Sequence, residues 1–321
     1  MSTKPLTRVA IIGASGRIGG AFAKALVETG QHTVTALTRV GSNSKLPDGV
    51  QAVAVDYNDG AALEAALQGQ QFLVITLGVQ AADDLHKRIA AAAGKAGVPW
   101  VMPNVYGYPL AATSDLPNNG PQTRGWEERV TDVTGNGASA AVTLACGFWY
   151  EWSLATGEQW FGFRILERTV TLFDEGTRVI TVSTWEQCGR ALAALLSLPE
   201  TGTSPSLADF KNRTMHIHSF RVSQRDMLDS LHRVLGTTDA DWAISREGTT
   251  KRVADGTAEM RAGDVRGFAK MLYGTVFDPA NQLSDFVGAD NEVLGLPQED
   301  LDEATRRAVE MVEAGWNPFP Q

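Results

Sequence analysis

Apolar residues in the first half of the chain come in short, nearly continuous runs, separated by stretches where they recur every three or four positions. Val9, Ile11 and Ile12 form the first run, and Ile18, Phe22, Ala25 and Leu26 then repeat at helical spacing up to Gly30. The same reading predicts strands over 32–38, 50–55, 71–77, 98–102 and 138–145. Helices fall between them: one capped by Asp59 and carrying Leu63, Ala66 and Leu67, one over about 81–95, and one over about 122–133. The run 71–77 is apolar almost throughout, as expected where both faces of a parallel strand are covered. Such alternation predicts an α/β fold, a Rossmann-type doubly wound parallel sheet with right-handed crossovers.

Beyond Cys146 the texture changes. Aromatic residues crowd into Phe148-Trp-Tyr-Glu-Trp152 and Trp160-Phe-Gly-Phe163, and two short strands, 168–173 and 178–182, flank a turn at 174–176. Thr184 with Gln187, Ser223 with Asp226, and Asp300 each mark the start of a helix, whereas 205–209 and 249–263 read as loops. The expected organisation is a nucleotide-binding domain over 1–146 and a smaller α+β part over 147–321 that closes over the reactive end of the ligand.

The 321 residues carry a net charge of −9, with no basic cluster, which argues against a nucleic-acid surface. The apolar runs are strand-sized and the N-terminus lacks an apolar leader, so neither a membrane span nor secretion is expected. Two cysteines, Cys146 and Cys188, are too few for a disulfide framework and fit packing roles in a reducing, cytoplasmic setting.

Candidate chemistry begins at Gly13-Ala14-Ser15-Gly16-Arg17-Ile18-Gly19, between the first strand and the first helix. The first glycine permits the tight turn, the second lets backbone N–H groups approach a diphosphate, and the third lets the helix pack closely on the sheet. At the end of the second strand an NAD-specific site would place a carboxylate, but Thr38 leads into Arg39, with Lys45 close behind. A guanidinium there suits the 2′-phosphate of NADP(H), with Arg17 or Lys45 assisting. Ligands lie outside the carboxyl ends of the strands, which adds Asp56, Tyr57, Leu77, Gly78, Val79, Pro103 and Asn104 to the cofactor candidates. Asp56 suits either the adenine amino group or a turn.

Gly13-Ala-Ser-Gly-Arg-Ile-Gly19, Val55-Asp-Tyr57 and Ala92 through Gly107 resemble the isoflavone-reductase and NmrA-like branch of the atypical short-chain dehydrogenases. Cys146 to Leu154, Val182 to Arg190 and Val222 to Leu231 resemble its fungal CipA-type members. That resemblance covers nearly the whole chain and implies an NADPH-binding fold acting on aromatic or polycyclic secondary metabolites.

The chain departs from the family at the proton donor. Short-chain dehydrogenases pair a Tyr with a Lys four residues on, but Tyr106, Tyr108 and Tyr150 are followed at that spacing by Leu110, Ala112 and Leu154. Resembling phenylpropanoid reductases use a Lys on the helix before the sixth strand, and here no lysine lies between Lys95 and Lys211. Arg124 and Arg129 stand on that helix, and arginine cannot give up its proton. Three readings follow. Hydride transfer uses Tyr106 or Tyr150 as donor with Arg124 stabilising negative charge; the cofactor is retained for an isomerisation or cyclisation; or the protein is a cofactor sensor without turnover. Phe148, Trp149, Tyr150 and Trp152, with Tyr106, are the expected wall for a small aromatic substrate. His216 and His218 share a strand face without a third ligand, so no metal is expected, while His86 is placed on an exposed helix. The run Trp316 to Pro320 sets aromatic residues after the last helix, suited to docking onto the body or onto a second copy in a homo-oligomer.

Overall fold

The computed structural model describes residues 3–78, 81–109 and 125–318. In chain order the first half forms β1 (Arg8–Ile12), α1 (Arg17–Glu28), β2 (Thr33–Arg39), β3 (Gln51–Val55), α2 (Gly60–Leu67) and β4 (Phe72–Ile75). It continues as α3 (Leu85–Lys95), β5 (Trp100–Met102), β6 (Tyr106–Gly107), α4 (Trp126–Thr134) and β7 (Ala140–Ala145). The second half forms β8 (Phe148–Trp149), α5 (Tyr150–Ala155), β9 (Phe163–Arg164), β10 (Thr169–Phe173), β11 (Ile180–Ser183), α6 (Trp185–Ser197) and β12 (Arg213–His216). After these come β13 (Phe220–Val222), α7 (Gln224–Leu235), β14 (Ala243–Glu247), α8 (Thr249–Arg261), α9 (Arg266–Phe277) and α10 (Leu301–Glu313).

The main sheet runs β12-β7-β5-β4-β1-β2-β3, with β6 also on β7, and every pairing in it is parallel. Strand order reverses between β1 and β4, the point at which a doubly wound sheet opens a crevice for a ligand. Alternation along β1 decides which helices cover which face. Val9 and Ile11 meet Phe22 and Leu26 of α1 and Leu192 and Leu195 of α6, while Ala10 and Ile12 meet Leu63 of α2, Ile89 of α3 and Val133 of α4. Gly189 lets α6 lie against α1, since a Cβ there would stand 2.6 Å from the Ala21 carbonyl oxygen.

A second core lies in the C-terminal half, built on Tyr150, Phe161, Phe163, Phe173, Phe220 and Phe277 with α7 and α10. Two small sheets, β14-β10-β9 and β13-β11-β8, frame it. The strands flanking the turn at 174–176 therefore do not form a hairpin; each pairs in a different sheet. The division at residue 146 is also crossed by the chain, because α6 and β12 return to cover and extend the nucleotide sheet. One expected loop is a helix. Residues 249–261 form α8, whose inward side holds Thr249, Arg252 and Gly256 rather than an apolar stripe. It meets α9 through glycines, a Cβ at Gly256 falling 2.7 Å from the Gly267 carbonyl oxygen. Hydrophobic periodicity has nothing to register in such a contact.

Candidate functional site

The glycine turn closes on the end of β4. Gly13 has a φ of +85°, and a Cβ on it would stand 2.1 Å from the Thr76 carbonyl oxygen. Gly19 is equally constrained, with a Cβ falling 2.2 Å from the Gly13 carbonyl oxygen. Thr76, which sequence reasoning did not single out, ties this packing together: its hydroxyl donates to the Ile12 carbonyl at 2.7 Å and lies against both glycines. Gly16 has an ordinary φ of −77° and no such steric demand, and Gly78 faces open space. The first N–H groups of α1 have no side-chain cap, as is also the case for α3, α4, α5, α8 and α9, whereas α2, α6, α7 and α10 begin with one. Uncapped donors and the positive end of the helix dipole, beside two positions without side chains, make a cradle for a diphosphate.

At the end of β2, Arg39 is exposed, and among the described residues neither Arg39 nor Arg17 has a hydrogen bond or ion pair from its side chain. Many other guanidiniums of this acidic chain are matched to carboxylates, as Arg190 is to Glu299 and Arg221 to Asp285, although Arg164, Arg168 and Arg261 on the surface have no carboxylate partner among the described residues either. Thr38 reaches the Val53 carbonyl at 3.5 Å. Asp56 accepts from the Asn58 N–H at 2.9 Å, closing a turn, and remains exposed. Tyr57 donates to the Leu37 carbonyl at 2.5 Å; burial pushes its phenol up to about 12, with Arg39 pulling it the other way. Val79 and Arg124 lie outside the described residues.

Between β4 and β5 a hydrogen-bonded brace holds the strand ends. Asn104 accepts from the Leu77 N–H at 3.1 Å and donates to the Leu77 carbonyl at 3.2 Å. Arg129 of α4 donates to the Asn104 carbonyl at 2.8 Å, and the Asn104 N–H points at His86 Nε2 at 3.4 Å. His86 Nδ1 in turn meets Asp132 at 3.0 Å. The side chain of His86 is thus buried rather than exposed, and burial holds its pKa below the ordinary value against the opposing pull of Asp132. Asn104 keeps its place at the site, but its amide is engaged with the main chain. Pro103 is buried beside it.

The two phenols expected to donate protons are both engaged. Tyr106 turns its hydroxyl inward to the Ile75 carbonyl at 2.9 Å, beside Phe22, and burial with Cys146 and Cys188 nearby raises it well above its ordinary value. Tyr150 is fully buried in the second core, bonded through its hydroxyl to Thr305 of α10 at 2.7 Å, and burial raises it as well. The structure thus corrects Tyr150 as a donor or substrate contact: strand β8 ends at Trp149, and the helical turn that follows rotates Tyr150 away into the core. Phe148 likewise packs edge-on between Tyr108 and Tyr273. Trp149 and Trp152 remain half-buried, at 6.4 Å from each other, and the Trp149 indole N–H is enclosed with no acceptor among the described residues.

This is the cofactor crevice of an α/β nucleotide-binding protein, and residues 13–106 match the family model described as NAD(P)H-binding. The chain accordingly carries an NAD(P)H-binding domain. Over 302 residues it is 27% identical to Oxidoreductase aprR of Aspergillus flavus, covering 92% of this chain and 96% of that protein. It is 22% identical to Oxidoreductase poxI of Penicillium oxalicum, covering 93% and 92%. Among solved structures, the complex of leucoanthocyanidin reductase with NADPH from Vitis vinifera superposes with a TM-score of 0.75 at 14% identity, covering 94% of this chain and 99% of that one. An isoflavone reductase follows the same fold with a TM-score of 0.71 at 16% identity, covering 94% and 99%. So does the quinone oxidoreductase QOR2 of Escherichia coli, at 0.69, 20% identity, 92% and 98%. The isoflavone-reductase-like resemblance read from the motifs is thus met in fold and in fungal homologues. No helix among the described residues is long and apolar enough to cross a membrane.

Proposed function

We propose that the chain is an NADP(H)-dependent reductase of a small aromatic molecule, of the isoflavone-reductase-like kind. The carrying observation is that Arg17 and Arg39 stand without a carboxylate partner beside a glycine turn whose helix is uncapped. When bound, the dinucleotide supplies a hydride. The chain's own residues do the rest: main-chain N–H groups from Gly13 to Gly19 hold the diphosphate, and Arg39 with Arg17 and Lys45 grips the 2′-phosphate. The open position at Gly78 lets the cofactor pass, and the Asn104–Leu77 brace keeps the crevice apart. Trp149 and Trp152 offer flat apolar surface to a ring. Arg124 is the candidate to stabilise negative charge on the reduced substrate. The proton comes from water, because Tyr106 and Tyr150 have committed their hydroxyls inside the fold.

Those engaged phenols also favour a second reading, a cofactor sensor or non-redox isomerase that keeps its dinucleotide. Calorimetry with NADPH and NADH tests binding, and loss of nicotinamide absorbance with a panel of aromatic enones, quinones and imines tests turnover. NADPH should bind more tightly than NADH, and Arg39→Asp should weaken NADPH by about 10- to 100-fold while sparing NADH. Equal loss of both nucleotides would defeat the phosphate assignment, and binding without oxidation of any acceptor would select the second reading.

A further inference from the structure

The last turn of the chain's final helix delivers a tryptophan to the glycine loop. Helix α10 ends in a paired hydrogen-bond motif: Gly315, at a φ of +77°, donates to the Val312 carbonyl at 3.0 Å, and the Trp316 N–H donates to the Met311 carbonyl at 2.9 Å. These two bonds set the backbone of Trp316 by helix geometry rather than leave it as a loose end. Its ring lies 4.8 Å from the Arg17 guanidinium, measured to the ring centroid. A second ring, that of Trp185 at the start of α6, meets Trp316 at 6.4 Å. Helix α10 itself is anchored in the second core through Ala304, Ala308 and Val309. Helix α10 thus sets a side chain against the first residue of α1.

We infer that Trp316 is a positioning residue for Arg17 and thereby sets the preference for the 2′-phosphorylated cofactor; the inference rests on the NADP(H) reading above. Stacking occupies the flat face of the guanidinium and leaves its N–H edge free. That edge has no hydrogen bond or ion pair among the described residues. An arginine on a long flexible stem loses conformational freedom when it grips a phosphate, and a ring that already holds its plane removes part of that cost. Trp316 contributes no donor to the phosphate in this arrangement; it acts through Arg17.

The test is a double-mutant cycle on the full chain, read by calorimetry with NADPH and NADH and by melting midpoints. Trp316→Ala should weaken NADPH by about three- to ten-fold and leave NADH nearly unchanged, while Trp316→Phe, which keeps a ring face, should recover most of the loss. In an Arg17→Ala background, Trp316→Ala should add nothing. Unaltered NADPH affinity in Trp316→Ala, equal loss of both nucleotides, or full additivity with Arg17→Ala would each overturn the inference while leaving the cofactor reading intact. A parent chain that binds neither nucleotide overturns both. Should Trp316→Ala melt early, Trp316→Leu, which keeps apolar bulk but no ring face, decides by the same split: a selective loss of NADPH supports the inference and unaltered NADPH affinity overturns it.

Discussion

Around the glycine turn the protein leaves space, and around Phe161 it fills space. In the nucleotide layer the informative positions are those without side chains: Gly13 and Gly19 pack main chain on main chain, a Cβ on Gly16 would stand 3.1 Å from the Gly13 carbonyl oxygen, and Gly78 opens outward. In the C-terminal core Phe161 meets Tyr273 and Phe277 edge-on and Tyr150 at a tilt, and the polar tips of the tyrosines are paired internally, Tyr150 with Thr305 and Tyr273 with Ser153. The same kind of local signal, a cluster of unusual residues after a strand, marks a binding cradle in one half and a core in the other. The difference lies in which groups remain unpaired. The first helix has uncapped N–H groups and the unmatched guanidiniums of Arg17 and Arg39 beside it, whereas the phenols of the aromatic core are hydrogen-bonded inside it.

Substitutions can break this comparison from either side. The largest effect is expected at Gly13→Ala, where a positive φ and the Thr76 carbonyl both oppose a side chain, and a loss of at least about 3 kcal/mol in urea unfolding is expected. Gly30→Ala, at a φ of +67° with nothing within 4 Å, should cost about 1 kcal/mol. Equal costs at the two positions would mean that close packing at the turn contributes little.

Glu151 sharpens the comparison through pH. It is buried in α5 against Arg307, and burial pushes its carboxyl up to about 7 from 4.5, with Arg307 opposing. The native state therefore holds the proton more tightly than the unfolded chain between those values. Stability tied to this group is present below about pH 4.5 and is lost as pH rises through about 7. Glu151→Gln should flatten that fall and make the variant more stable at pH 7.5, by about 1 to 3 kcal/mol. Identical slopes in parent and variant, from urea midpoints at pH 5 and 7.5, would contradict the assignment. The smallest effect is expected at Tyr150→Phe. It should cost about 1 kcal/mol of stability and leave the turnover of any substrate unchanged; a fall in kcat at unchanged stability would return the phenol to the chemistry.

Much of the nucleotide layer was legible in the chain because its signals are local. A run of apolar residues, a glycine with its successors three and six places on, and an arginine at the end of the next strand each act within a few residues of one another. The aromatic run was legible as a cluster but not as a pocket, since alternation along β8 turns Phe148 to the second core and Trp149 to the other face, and the helical turn after β8 carries Tyr150 inward. The pattern of apolar residues does not show helix α8 because its buried face is Thr249, Arg252 and Gly256, and Arg252 is held by Glu247 just before the helix and by Glu158 from a distant part of the chain. His86 was placed on a wet face for the same reason: its partner Asp132 comes from another helix.

Local spacing of apolar residues and glycines was enough to specify the parallel sheet, the glycine turn after its first strand and the arginine proposed to meet a 2′-phosphate, because backbone geometry and strand order follow from short-range sterics. Which phenols are spent, which indoles stay open, and how a tryptophan near the end of the chain comes to lie on Arg17 were decided by packing between residues far apart in the chain, 31 positions for Tyr106 and Ile75 and 155 for Tyr150 and Thr305. Those contacts depend on where helices α5, α6 and α10 settle against two cores, and no stretch of the chain taken by itself carries that information.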